Sequence, residues 1–133
     1  MKFALTIGDA SRESGVSAKM IRYYERVGLI PPADRTSGNY RTFDDHDLHR
    51  LRFIRRARGL GFSVDQIARL LGLWQDRQRC SSDVKNLASR HLDDLNQRIA
   101  EMVSIRDVLK DLVEHCQGDQ RPDCPILAEI EAG

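Results

Sequence analysis

Apolar residues along this chain change their spacing near its middle. In roughly the first 75 residues they come in short clusters separated by turn-forming residues, and from about residue 80 they fall into one long periodic row. Thr6 stands before the first cluster with Asp9 three residues on, a capping box with Asp in the Glu/Gln place. Ile7, Ala10 and Ser11 then share one face of a short helix that ends near Gly15. Ser17 caps a second helix, in which Ile21 and Tyr24 face inward, and Gly28 closes it. Helix, short Gly-containing turn, helix is the helix-turn-helix pattern.

Pro31-Pro32 stops the helical spacing. Thr36-Ser37-Gly38-Asn39 supplies turn residues before Tyr40-Arg41-Thr42-Phe43, a short β-like run that predicts a small hairpin, or wing. Asp44 or Asp45 caps a third helix containing Leu48, Leu51, Ile54 and Ala57, ended by Gly59 and Gly61. Ser63 starts a fourth with Ile67, Leu70 and Leu71, and with Asp65 in its first turn.

From Ser81 or Ser82 to His115 there is neither Gly nor Pro. Val84, Ala88, Leu92, Leu95, Ile99, Met102, Ile105, Leu109 and Leu112 recur at steps of three or four, and the next step lands on Cys116. That period predicts one long helix with a single apolar stripe, extending roughly 48 Å. No second long helix follows to cover the stripe, so a second copy of the chain is expected to, as a parallel or antiparallel homodimer. After Cys116 comes a polar loop to Cys124, then a short helix with Pro125 in its first turn. The expected organisation is a DNA-reading domain over 1–75, a dimerisation helix over 80–115, and a loop with a short helix over 116–133.

Composition agrees with this division. The 133 residues are 31% charged and 6% aromatic, a polar balance that suits exposed helices better than one self-sufficient core. No run of about 18 apolar residues occurs, and the N-terminal apolar stretch is short for a signal peptide, so a cytoplasmic protein with no membrane segment is expected. Residues 1–62 carry 12 Lys/Arg against 7 Asp/Glu, while residues 63–133 carry 9 against 13. A front half of net +5 and a back half of net −4 make up the overall +1 and point the front half at a polyanion.

The basic residues fall on the elements that would meet DNA. Lys19, Arg22 and Tyr23 lie close on one face of the second helix, the element that helix-turn-helix proteins place in the major groove. The wing adds Arg35, Tyr40 and Arg41, and the third helix adds Arg52, Arg55, Arg56 and Arg58. One basic helix is more often a solvated face, but three basic groups on successive elements of this pattern favour nucleic acid.

The three cysteines, Cys80, Cys116 and Cys124, do not make a disulfide framework. Cys116 and Cys124 can close a loop that brings both sulfurs to one ion. Thiolates select soft ions, and two ligands suit Cu(I), Ag(I) or Au(I), which accept a linear pair, whereas Zn(II) normally takes four. His115, Asp119, Asp123 and Cys80 are near enough in sequence to supply a fuller set. Buried small hydrophobes are the alternative; this suits Cys116, on the stripe, better than Cys124, in a polar loop.

These residues together resemble the MerR family of metal-responsive regulators. Thr6-Ile7-Gly8, Ser17-Ala18-Lys19-Met20-Ile21-Arg22-Tyr23-Tyr24-Glu25, Gly28-Leu29-Ile30, Tyr40-Arg41 and Arg55-Arg56-Ala57-Arg58-Gly59-Leu60-Gly61-Phe62 are similar to its front motifs. Cys116-Gln-Gly-Asp119 and Pro122-Asp123-Cys124-Pro125-Ile126-Leu127 are similar to its Cu(I)-sensing, copper-efflux branch. The resemblance implies a mainly α fold: a winged helix-turn-helix DNA-binding domain, a long antiparallel coiled-coil helix and a C-terminal metal-binding loop. It implies that Lys19, Arg22, Arg35, Tyr40, Arg41 and Arg58 approach promoter DNA, and that Cys116 and Cys124 hold the metal. Ser81 of the opposite subunit would sit over that metal, where branches for Zn(II), Hg(II), Pb(II) or Cd(II) carry Cys, and Lys85 would offset the negative charge of the site. The implied mechanism is distortion of an over-spaced promoter so that RNA polymerase can use both its elements. Two features depart from the pattern: the wing has Asn39 before Tyr40-Arg41 in place of Gly, and Cys80 adds a thiol beside Ser81.

Three alternatives remain at this point. A regulator for Zn(II), Cd(II) or Pb(II) is opposed by the short loop and by Ser81. A drug-sensing regulator needs a large appended domain. A redox sensor holding an iron–sulfur cluster needs about four thiolates, and this chain has three. An enzyme is not expected, since no nucleophile–base pair stands at motif spacing.

Overall fold

The computed structural model describes residues 4–32, 34–35, 38, 40–120 and 122–133, with the Asp34 side chain outside the description. The expected turn residues Thr36, Ser37 and Asn39 lie outside the described residues. The described chain is mainly helical: α1 Ile7–Ser14, α2 Ala18–Arg26, β1 Asp34–Arg35, β2 Arg41–Thr42, α3 Asp45–Gly59, α4 Val64–Gln75, α5 Ser81–His115 and α6 Pro125–Glu131. It divides into two compact units, residues 1–87 and 88–133.

The first unit is built from capped short helices around one core. Thr6 Oγ1 accepts the Asp9 N–H at 3.1 Å and the Asp9 carboxylate accepts the Thr6 N–H at 3.3 Å, the capping box expected for α1. Ser17 caps α2 through the Met20 N–H. Two further boxes, Asp44 with Asp47 and Ser63 with Gln66, start α3 and α4. Helix α2 ends in a Schellman motif: the Gly28 N–H reaches the Glu25 carbonyl and the Leu29 N–H reaches the Tyr24 carbonyl, while Gly28 takes φ 84°. The same arrangement closes α3 at Gly61, so Gly59 is the last residue of that helix and not its stop.

Strands β1 and β2 pair antiparallel, with Asp34 opposite Thr42 and Arg35 opposite Arg41. Leu5 bridges to Phe43, tying the start of the chain to the foot of this wing. The core comprises Ala10, Val16, Ile21, Tyr24, Leu29, Ile30, Phe43, Leu48, Leu51, Ile54, Ala57, Ile67 and Leu71. Its members come from α1 to α4, the turn between α1 and α2, the segment after α2 and the foot of the wing, and burying each large apolar side chain contributes about 1.5–3 kcal/mol.

The second unit is different in kind. Among the described residues its only buried side chain is His91. Along the stripe Leu95 and Leu112 are half-buried, while Leu92, Ile99, Met102, Ile105 and Leu109 stay exposed in the single chain, Met102 at 66%. Helix α5 has 35 residues, the length and the uncovered face that the periodicity predicts. Among the described residues, no helix is long and apolar enough to cross a membrane.

Candidate functional site

Two places bring the expected functional residues together. The first is a surface groove of about 310 Å³ lined by Thr6, Ile7, Arg22, Arg35, Tyr40 and Arg41. Helix α2 supplies Arg22, the wing supplies Arg35, Tyr40 and Arg41, and the capped start of α1 supplies the floor. Arg22 and Arg35 are exposed, and Tyr40 stands out at 74%. Three guanidinium groups and a phenol around one concave surface make a polyanion-binding geometry. Thr6 and Ile7 were not expected here; Thr6 had been legible only as a cap.

Lys19 and Arg58 are exposed on α2 and at the end of α3, outside the lining of the groove. Tyr23 is half-buried against the core, with the Arg26 guanidinium over its ring at 5.5 Å from the centroid, a cation–π contact within α2. Arg41 is half-buried, and its Nη1 lies 3.3 Å from Glu25 Oε2. Both atoms are shielded from water, and the contact is ionic without hydrogen-bond geometry. Arg52 departs from the expected DNA-facing set: its Nε and Nη2 donate to the Glu13 carbonyl at 3.4 and 3.2 Å.

The second place is the loop between α5 and α6. Cys116 follows the last residue of α5, and Cys124 is the residue before α6; both are half-buried. The Cys124 thiol is held below the ordinary thiol range, chiefly by the Leu127 N–H, then by the Ile126 N–H and the Cys116 thiol. Those N–H groups belong to the open first turn of α6, and the sulfur faces them without completing a capping hydrogen bond. The Cys116 thiol is thus close enough to act on the Cys124 thiol. His115 turns back along α5: its Nδ1 lies 2.7 Å from the Asp111 carbonyl oxygen, and that carbonyl, then the Asp111 carboxylate, raise its pKa. No group of three or more His, Cys, Asp or Glu able to hold a metal forms among the described residues. Cys80 is exposed, and its carbonyl accepts the Asp83 N–H at 3.0 Å as α5 begins.

The front half matches the sequence profile of the MerR HTH family regulatory protein over residues 5–73, and the MerR DNA-binding profile matches residues 48–112. The chain belongs to the MerR family. Members are DNA-binding regulators, so this chain is a transcription regulator and not an enzyme. Within the family it is 58% identical over 129 residues to heavy metal-dependent transcription regulator 2 of Rhizobium meliloti, covering 97% of this chain and 88% of that one. It is 37% identical over 126 residues to the HTH-type transcriptional regulator CueR of Salmonella typhimurium, covering 95% and 91%. Among solved structures, the lead(II) complex of PbrR691 from Ralstonia metallidurans superposes with a TM-score of 0.81 at 29% identity, covering 95% of this chain and 98% of that one. The mercury(II) complex of MerR from Bacillus megaterium gives 0.70 at 30% identity, covering 96% and 99%.

Proposed function

We propose that this MerR-family chain binds promoter DNA as a homodimer in the cytoplasm and activates transcription when Cu(I), or Ag(I) or Au(I), is held by Cys116 and Cys124. The observation that carries the reading is the meeting of two thiols across the 116–124 loop, one of them with a lowered pKa. A lowered pKa favours the thiolate, which is the ligand form. Two soft donors, with no third His, Cys, Asp or Glu grouped with them among the described residues, suit an ion satisfied by two. A metal response is further supported by the relative whose name calls it heavy metal-dependent.

In this reading residues 1–75 meet DNA through Lys19, Arg22, Tyr23, Arg35, Tyr40, Arg41 and Arg58. Residues 80–115 pair two copies as an antiparallel coiled coil, and residues 116–133 hold the metal. Bound Cu(I) joins two thiolates into a site of net charge −1. Ser81 of one copy faces the loop of the other with a hydroxyl, which keeps the thiolate count at two, and Lys85 offsets the charge. The loop biases two arrangements of the dimer, and the activating one distorts the promoter for RNA polymerase at a deformation cost of a few kcal/mol, offset by DNA contacts.

A second reading, a regulator for Zn(II), Cd(II) or Pb(II), is favoured by the similarity to the lead(II)-bound structure and by Cys80 beside Ser81. Anaerobic titration of the reduced protein with Cu(I) and with Zn(II), followed by stoichiometry and sulfur X-ray absorption, separates the two. One Cu(I) per loop with two sulfurs supports the first reading; a multi-thiolate site including Cys80 supports the second.

A further inference from the structure

The turn between α1 and α2 fixes how α2 is presented, and it is gripped from the side of α3. Helix α1 ends at Ser14, so the Glu13 carbonyl is among the last four, which have no partner within the helix. Arg52 supplies the partner: Nε and Nη2 both donate to that oxygen at 3.4 and 3.2 Å. A second contact, Arg52 Nη2 to the Glu13 carboxylate at 3.9 Å between exposed groups, adds little. One turn further along α3, the guanidinium of Arg55 lies over the next residues of the same turn. A Cβ placed on Gly15 would stand 3.0 Å from Arg55 Cζ, 3.1 Å from Nη1 and 3.2 Å from Nε. Gly15 takes φ 75°, so the backbone asks for glycine there, and the Arg55 guanidinium packs against its bare Cα. The turn is closed from within as well: the Gly15 N–H reaches the Ser11 carbonyl, and buried Ser14 accepts the Val16 N–H. Two cations at the C-terminal end of α1 also oppose the negative end of its dipole.

We infer that Arg52 and Arg55, although they stand in the basic run of α3, are positioning residues that clamp the α1–α2 turn and set the angle at which α2 meets DNA, and are not phosphate contacts. The inference rests on the reading of α2 as the element that enters the groove of DNA. The chemistry separates the two roles. A phosphate contact is a point charge, which Lys replaces, and its loss lowers affinity for every duplex and flattens the salt dependence by about 0.9 per phosphate. A clamp on a carbonyl oxygen and on a glycine Cα needs the planar, forked guanidinium, which Lys does not supply.

The test uses the full-length protein at a temperature where every variant is folded. Two probes are used: a duplex selected by the wild-type protein from a random-sequence pool, and a scrambled duplex of the same base composition. For Arg52→Ala, Arg55→Ala and Arg55→Lys, affinity for the selected duplex is expected to fall by about five- to thirtyfold. Affinity for the scrambled duplex and the salt slope on both are expected to hold. Gly15→Ala is expected to reproduce the loss, because a Cβ at φ 75° strains the same turn. A flattened salt slope with equal loss on both duplexes, or full rescue of Arg55 by Lys, overturns the clamp. Arg22→Ala is run beside them: if it leaves the selected-duplex affinity unchanged, the reading of α2 fails and the clamp's functional role fails with it. If Arg22→Ala weakens binding while the Arg52 and Arg55 variants do not, only the clamp fails.

Discussion

Arg41 of the wing and Glu25 of helix α2 form an ionic contact of 3.3 Å whose two facing atoms are shielded from water. The wing and the helix that line the groove are thus joined by one charge pair. Removing a carboxylate near a polyanion site by itself strengthens binding to any duplex. Glu25→Gln is expected to do the opposite on the selected duplex, weakening it by about 1–2 kcal/mol, because the buried part of the Arg41 guanidinium loses its partner. Fluorescence titration against selected and scrambled duplexes checks the sign. Tighter binding to both would mean that Glu25 acts only as a repulsive charge.

Arg22 is exposed on α2 within the same groove. Arg22→Ala is expected to cost about 1–3 kcal/mol on the selected duplex if its fork reaches a base edge. Arg35→Ala, on the wing, is expected to weaken all duplexes alike and flatten the salt slope, as loss of a phosphate contact does. Equal behaviour of the two variants would place base readout elsewhere.

The exposed stripe on α5 is expected to be the dimer seam. Leu95→Glu together with Met102→Glu puts two carboxylates into it. Sedimentation should then show monomers, and binding to the selected duplex should weaken sharply. A double variant that stays dimeric in the ultracentrifuge contradicts the seam.

Cys116→Ser and Cys124→Ser are expected to bind the selected duplex as the wild type does and to fail to activate transcription with copper. Neither cysteine lies in the groove, and a site of net −1 adds no positive charge to a DNA surface. Cys80→Ser should keep the copper response. Loss of Cu(I) binding in Cys80→Ser, measured by anaerobic titration, would favour the multi-thiolate reading instead.

Two of the capping boxes respond to acid with opposite sign. The Asp9 carboxyl is held below its ordinary value of 3.8 by hydrogen bonds from Thr6 and the nearby Arg12. Its folded pKa is depressed, so its stabilisation is present above that value and is lost as pH falls. The Asp47 carboxyl is raised, first by burial and then by the neighbouring Asp44. Its folded form holds the proton more tightly, so its contribution is greatest in acid and is lost as pH rises through the raised value. Asp47→Asn should therefore flatten the loss of thermal stability above pH 3.8, and Asp9→Asn should flatten the loss below it. Melting curves across that range read both.

The sequence by itself determined the elements, because their signals are local. A cap and its partner stand three residues apart, as Thr6 and Asp9 do; a helix stop needs one glycine, as at Gly28; and a stripe needs only a regular step, as from Val84 to Leu112. The candidate loop was legible for a similar reason, since seven residues between Cys116 and Cys124 allow a turn to bring the two sulfurs to one ion. Contacts between elements were decided by the tertiary structure alone. Arg41 and Arg52 are, in the sequence, two more positive charges in a basic half. Packing gives one to Glu25 and the other to the Glu13 carbonyl, and sets Arg55 against Gly15. An arginine carries the same charge facing phosphate or a helix end, so its role follows from what the fold brings within about 3–4 Å of it, and that distance is a property of packing across 16 to 40 positions of chain.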